Sequence, residues 1–74
     1  MTVFEFAYSE CIWEGGCVTF SIHETRKGAE MALDFHKDAC RQHWMEMFDT
    51  KELRKEHTFG DMEEWIVRET RVKP

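Results

Sequence analysis

The stretch from Thr25 to Phe48 constrains what this chain can fold into more than any other. At about 100° per residue, Ala29, Leu33, His36, Cys40, His43, Trp44 and Met47 fall on one broad helical stripe, and Glu30, Asp34, Lys37, Asp38 and Arg41 face away from it. A stripe this wide must be buried against another element. Thr25 supplies an N-cap, because its hydroxyl can accept from the free amides of the first turn; Gly28, at the capping-box position, returns no bond. The pattern predicts a helix over 25–48, packed on a sheet.

Two runs of alternating residues precede it. Phe4, Phe6 and Tyr8 alternate with Val3, Glu5 and Ala7, and Val18, Phe20 and Ile22 alternate with Cys17, Thr19, Ser21 and His23, the period of half-buried strands. Gly15-Gly16 between them suits the positive φ of a tight turn, so residues 2–23 read as a β-hairpin. Parity chooses the loop. A two-residue turn splits the apolar faces, whereas a three-residue loop of Glu14, Gly15 and Gly16 sets Ile12 opposite Val18 and Tyr8 opposite Ile22. In that register Cys11, Trp13 and Cys17 lie on the sheet face away from the helix.

Residues 49–60 form a charged connector, in which Asp49-Thr50 either ends the helix or caps a second one through Lys51 to His57, with Leu53 as its clear anchor. After Gly60, residues 64–72 have the β-branched and aromatic content of a last strand, and Pro74 ends the chain. The expected fold class is α+β: one ββαβ domain over 1–74, with a three-stranded antiparallel sheet of order 2-1-3 and one long helix on one face. The other face then needs water, the 51–57 segment or a partner chain.

Seventy-four residues fit a single domain, and three Trp and six Phe supply enough apolar surface for a core. A net charge of −5 with scattered basic residues lacks the footprint that phosphate neutralisation requires, so direct nucleic-acid binding is not expected. No secretory signal pattern opens the chain and no apolar run approaches the roughly 20 residues that span a bilayer. The expectation is therefore a cytoplasmic protein without membrane contact. Three cysteines, an odd number, then read as free thiols.

The chemistry-bearing residue types gather on the helix. His36, Cys40 and His43 could join a further ligand in a zinc-binding module, but C-x5-C followed by H-x3-C-x2-H matches none of the tight zinc spacings. In the expected register the sheet also separates Cys11 and Cys17 from the helix set. Packed Cys and hydrogen-bonded His are the expected state, with no bound cofactor. No nucleophile with an adjacent base, phosphate loop or carboxylate pair can be picked out, so no enzyme is expected. Met31 and Phe35 fall off the core stripe and Trp13 on the outer sheet face; these three are the expected partner-binding residues.

The hairpin, the helix opening Thr25-Arg26-Lys27-Gly28-Ala29-Glu30-Met31-Ala32-Leu33 and the closing run Glu64-Trp65-Ile66-Val67-Arg68-Glu69-Thr70-Arg71-Val72 together resemble small proteins encoded by bacteriophages and prophages. The likeness is one of layout and of loose T-R-x-x-A-E-x-A-L and E-W-x-V-x-E patterns, with no site to transfer. It implies a binder directed at a host bacterial protein. The expected function is thus a protein-binding accessory factor, with a homodimer that covers the open sheet face counted among its interfaces. The alternatives are the zinc module and an acidic mimic of nucleic acid.

Overall fold

The most regularly alternating run, at the N-terminus, takes the centre of the sheet, where both of its edges are paired. The computed structural model describes residues 1–13 and 15–73. Glu14, the first residue of the expected turn, and Pro74 lie outside the described residues. The elements are β1 (Thr2–Ser9), β2 (Val18–His23), α1 (Arg26–Met47), α2 (Lys51–Glu56) and β3 (Glu64–Arg71). The three strands form one antiparallel sheet in the order β2-β1-β3, as the sequence predicts, with α1 across one face.

β1 and β3 pair without a break from Thr2 opposite Arg71 to Ser9 opposite Glu64. The β1–β2 ladder departs from expectation. Tyr8 stands opposite Val18, not Ile22, and Ile12 lies in a turn beyond the end of β1. The cause is a long-range bond: the Ile12 amide donates to the Met62 carbonyl at 2.8 Å, which ties the chain after Ser9 to the run before β3. The connection to β2 is consequently wide. Gly15 and Gly16 do not supply a left-handed turn; among the described residues only Gly60 has a positive φ, 88°.

A register shift between Phe6 and Ala7 leaves Phe20 as an extra residue in β2, a β-bulge. Phe20 and Ser21 therefore both face α1. The Phe20 ring lies 5.5 Å from Phe6, and Ser21 hydrogen-bonds His23 at 2.7 Å, whose side chain approaches Gly28 of α1. Ile22, opposite Glu5, is turned to the outer face. The expected single apolar face of Val18, Phe20 and Ile22 is thus broken in two, because one inserted residue reverses every side chain beyond it.

The core is small. Val3, Phe6, Ala7 and Ala29 are its buried hydrophobic members, and Phe6 is the large side chain buried completely. The outer sheet face carries its own polar network: Glu5 accepts from the hydroxyls of Thr19 at 3.1 Å and Thr70 at 2.7 Å, and Arg68 donates to Thr19 at 2.9 Å. Arg68 Nε lies 3.8 Å from the Glu5 carboxylate, an ion pair too long to be a hydrogen bond.

Thr25 caps α1 as expected, accepting from the Gly28 amide at 3.0 Å, and Thr50 caps α2 through the Leu53 amide at 3.2 Å. α2 packs at the far end of α1 rather than over the sheet. Arg54 donates to the carbonyls of Phe48 and Met45 at 2.7 and 3.3 Å, where α1 leaves acceptors unsatisfied, and the Trp44 indole donates to the His57 carbonyl at 2.6 Å. Leu53, the expected anchor, is exposed; Arg54 and the stacked His57 and Phe48 rings, 4.5 Å apart, take that role. Among the described residues no helix is long and apolar enough to cross a membrane.

Candidate functional site

Ten residues into α1, about 15 Å along its axis, His36 reaches the middle of the sheet. Its ring stands 5.3 Å from Phe6, 4.5 Å from Tyr8 and 4.8 Å from Phe20, and its Nδ1 accepts from the Trp65 indole at 3.0 Å. An indole N–H can only donate, so Nδ1 is the acceptor in this pair. Side chains from β1, β2 and β3 thus converge on one imidazole.

Cys40 follows one turn later, its Sγ 3.7 Å from the same Nδ1. Burial, and then the negative charge of Glu63, push the Cys40 thiol above its usual range; the same two causes push the Tyr8 phenol up. Tyr8 also donates to Glu63 at 3.4 Å. Cys17 is raised by burial and then by Glu64. For both thiols this is the opposite of the shift that activates a cysteine nucleophile. All three cysteines are free.

Beyond Cys40 a groove of about 520 Å³ opens, lined by Tyr8, Cys40, His43, Trp44, Phe48 and Glu63 among others. The sequence-predicted metal trio is thus only partly assembled. His36 and Cys40 meet, while His43 is an exposed side chain at the groove margin. Among the described residues no three His, Cys, Asp or Glu side chains come together as a ligand set. The Nδ1 that faces Cys40 is already committed to Trp65, and Cys17 sits beside Glu64 rather than with the helix residues.

The three predicted partner-binding residues are all exposed, but not together. Met31 and Phe35 project from α1, 63% and 81% exposed. Trp13, 78% exposed, belongs to the turn that follows β1 and not to the outer sheet face, because β1 stops at Ser9. Its apolar neighbours in this region are the exposed Ile12 and, through the Ile12 hydrogen bond, Met62.

Sequence reasoning missed Val18, Phe20 and Ile22, expected to lie under the helix and in fact exposed. A signal was present. β2 reads Val-Thr-Phe-Ser-Ile-His without an acidic residue, Lys or Arg, whereas β3, the other edge, carries Glu64, Arg68, Glu69 and Arg71. An edge strand without charge lacks the usual protection against pairing with another chain. No known protein family, curated protein or solved structure matches this chain.

Proposed function

We propose that this protein is a small acidic accessory factor that acts by binding another protein, without a cofactor and without catalysing a reaction. The carrying observation is the surface. The chain exposes 5870 Å², against about 4,800 Å² expected for a folded monomer of its mass. Trp13, Phe35, Met31, Val18 and Phe20 are among the side chains that stand out from the fold. Large exposed apolar patches mark partner sites.

The proposed contacts are Trp13, Met31 and Phe35, the first as an indole anchor of the kind that carries binding energy in protein interfaces. The net charge of −5 suits a partner with a basic rim around its apolar centre. The phage-like layout points to a host bacterial protein. The cysteine chemistry agrees with a binding role, because the Cys40 and Cys17 thiols are shifted away from activation.

The test is capture from a bacterial lysate on the immobilised full chain, with a Trp13→Ala, Met31→Ala, Phe35→Ala triple variant alongside. The reading expects a protein retained by the wild type and lost from the variant. Identical retained proteins on both surfaces, or none on either, would overturn it.

A further inference from the structure

Three of the exposed apolar residues lie on the edge strand β2 and two on α1. Val18, Phe20 and Ile22 on β2 and Met31 and Phe35 on α1 are each at least 63% exposed. The flank of α1 on which Phe35 stands can be fixed from its neighbours. Lys37 lies over the Trp65 ring and Arg41 over Phe59, each at 5.2 Å, so that side of α1 looks towards β3. Gly28 lies against His23 of β2, a Cβ at this glycine falling 3.4 Å from the His23 side chain. Phe35, seven residues on and so on nearly the same helical face, stands over the β2 edge two turns further along.

We infer that this β2 edge and the adjoining flank of α1 are the seat of a second copy of the same chain, in an isologous dimer. The inference rests on the reading that the exposed apolar side chains are an interface. Three observations fix the occupant and the place.

The first is area. The chain exposes roughly 1,000 Å² more than a monomer of its mass should, and a standard interface takes about 800 Å² from each partner. One self-complementary contact of standard size fits within that excess. The second is extension. The radius of gyration is 14.6 Å with extents of 52 × 24 × 12 Å, where a compact chain of this length has a radius near 11 Å. A sheet with one helix on it is two layers over a narrow footprint, and a two-fold copy beside β2 doubles the width under a paired helical layer.

The third is edge chemistry. β2 is uncharged apart from the titratable His23, while β3 presents two Glu and two Arg to any chain that approaches it. Like strands meeting at a two-fold run antiparallel, so that residue i of one meets residue j of the other and j meets i. β2 brings no Asp, Glu, Lys or Arg into that contact and lacks the usual protection of an edge against pairing, whereas Arg68 and Glu69 of β3 are already in ion pairs with Glu5 and Arg26. The bulge at Phe20 interrupts continuous main-chain pairing, but it turns Phe20 to the helix side, where its ring stands 4.8 Å from that of His36, the residue after Phe35 on α1. The outer face is not the seat, because Glu5, Arg68, Thr19 and Thr70 already bond one another there. With Met31 and Phe35 of the proposed contacts taken by the second copy, Trp13, in the turn beyond β1, is the one left for the heterologous partner.

The experiment is sedimentation equilibrium of the tag-free full chain from low to high micromolar concentration, with Val18→Lys, Phe35→Glu and Trp13→Ala variants. The expected result is a wild-type mass of twice 8.9 kDa, reduced to the single-chain mass in Val18→Lys and in Phe35→Glu and unchanged in Trp13→Ala. Phe35 is a surface residue of a helix, so its variant remains decisive if Val18→Lys loses the β2 strand by circular dichroism. A wild type that stays monomeric, or a dimer that survives Phe35→Glu, overturns the inference. A monomer that still captures a lysate protein through Trp13 overturns self-association alone; a monomer that captures nothing overturns the binding reading as well.

Discussion

At the scale of single residues, His36 holds more of the fold than its polarity suggests. It fills the space between Phe6, Tyr8 and Phe20 and satisfies the Trp65 indole. His36→Ala removes ring contacts from three strands' side chains and leaves a half-buried donor unpaired, a loss of about 1–3 kcal/mol. Urea unfolding should show that loss, and His36→Gln, which keeps an acceptor in reach, should recover part of it. The placement of His36 and Cys40 on the core side of α1 was legible from spacing alone, because helical facing is a local property. That Trp65 would take the imidazole lone pair was not legible, since the two residues are 29 positions apart. Glu5 gives a second residue-level outcome. The Thr70 and Thr19 hydroxyls, and more weakly Arg68, hold its carboxyl below the ordinary 4.5 against the opposing effect of burial. A carboxyl with a lower value folded than unfolded stabilises the fold at neutral pH, and that contribution disappears as pH falls from 4.5 through the lower folded value. Acidification across this window should therefore cost wild type more stability than Glu5→Gln, measured by urea midpoints at the two ends.

At the scale of elements, the cues that were read correctly are those that act over a few residues. Thr25 caps α1 and Thr50 caps α2 because a hydroxyl three positions before a free amide can reach it whatever the tertiary setting. The strand order followed from a helix that runs back antiparallel to β2 and so starts the last strand near the hairpin tip, antiparallel to β1. The hairpin register failed for the opposite reason. Perfect alternation from Val18 to Ile22 looks the same with or without a bulge, and the bond from Ile12 to Met62 beyond the end of β1 joins residues 50 positions apart. Gly15-Gly16 offered flexibility that the fold does not use as a left-handed turn, whereas Gly60 does adopt positive φ, at 88°, just before β3. A Cβ there finds room, the Trp65 ring being 3.9 Å away, so the cost of Gly60→Ala is conformational and not steric. The left-handed region costs an L-residue about 1–2 kcal/mol. Gly60→Ala should lower the urea midpoint accordingly, while Gly15→Ala, with open space around it, should leave the midpoint nearly unchanged.

At the scale of the molecule, the fold places an aromatic-rich chain in a shape that cannot hide it. One helix on three strands leaves Phe6 as the fully buried large side chain, although the composition has six Phe and three Trp. Composition alone made surface aromatics inevitable, yet it could not say where, because their location depends on the bulge that turns Ile22 outward and on a helix flank that passes beyond β2. With so small a core, a single copy has little apolar burial to offset the entropy of ordering 74 residues. If two copies fold and associate together, stability is linked to protein concentration by mass action. Each tenfold increase in concentration then adds about 1.4 kcal/mol to the free energy of the folded dimer relative to two unfolded chains. Urea midpoints of wild type should rise steadily with concentration, and those of Phe35→Glu should not move. A concentration-independent wild-type midpoint would mean that the small core is sufficient by itself. Such a result would leave the exposed Val18, Phe20 and Phe35 to a partner of different sequence.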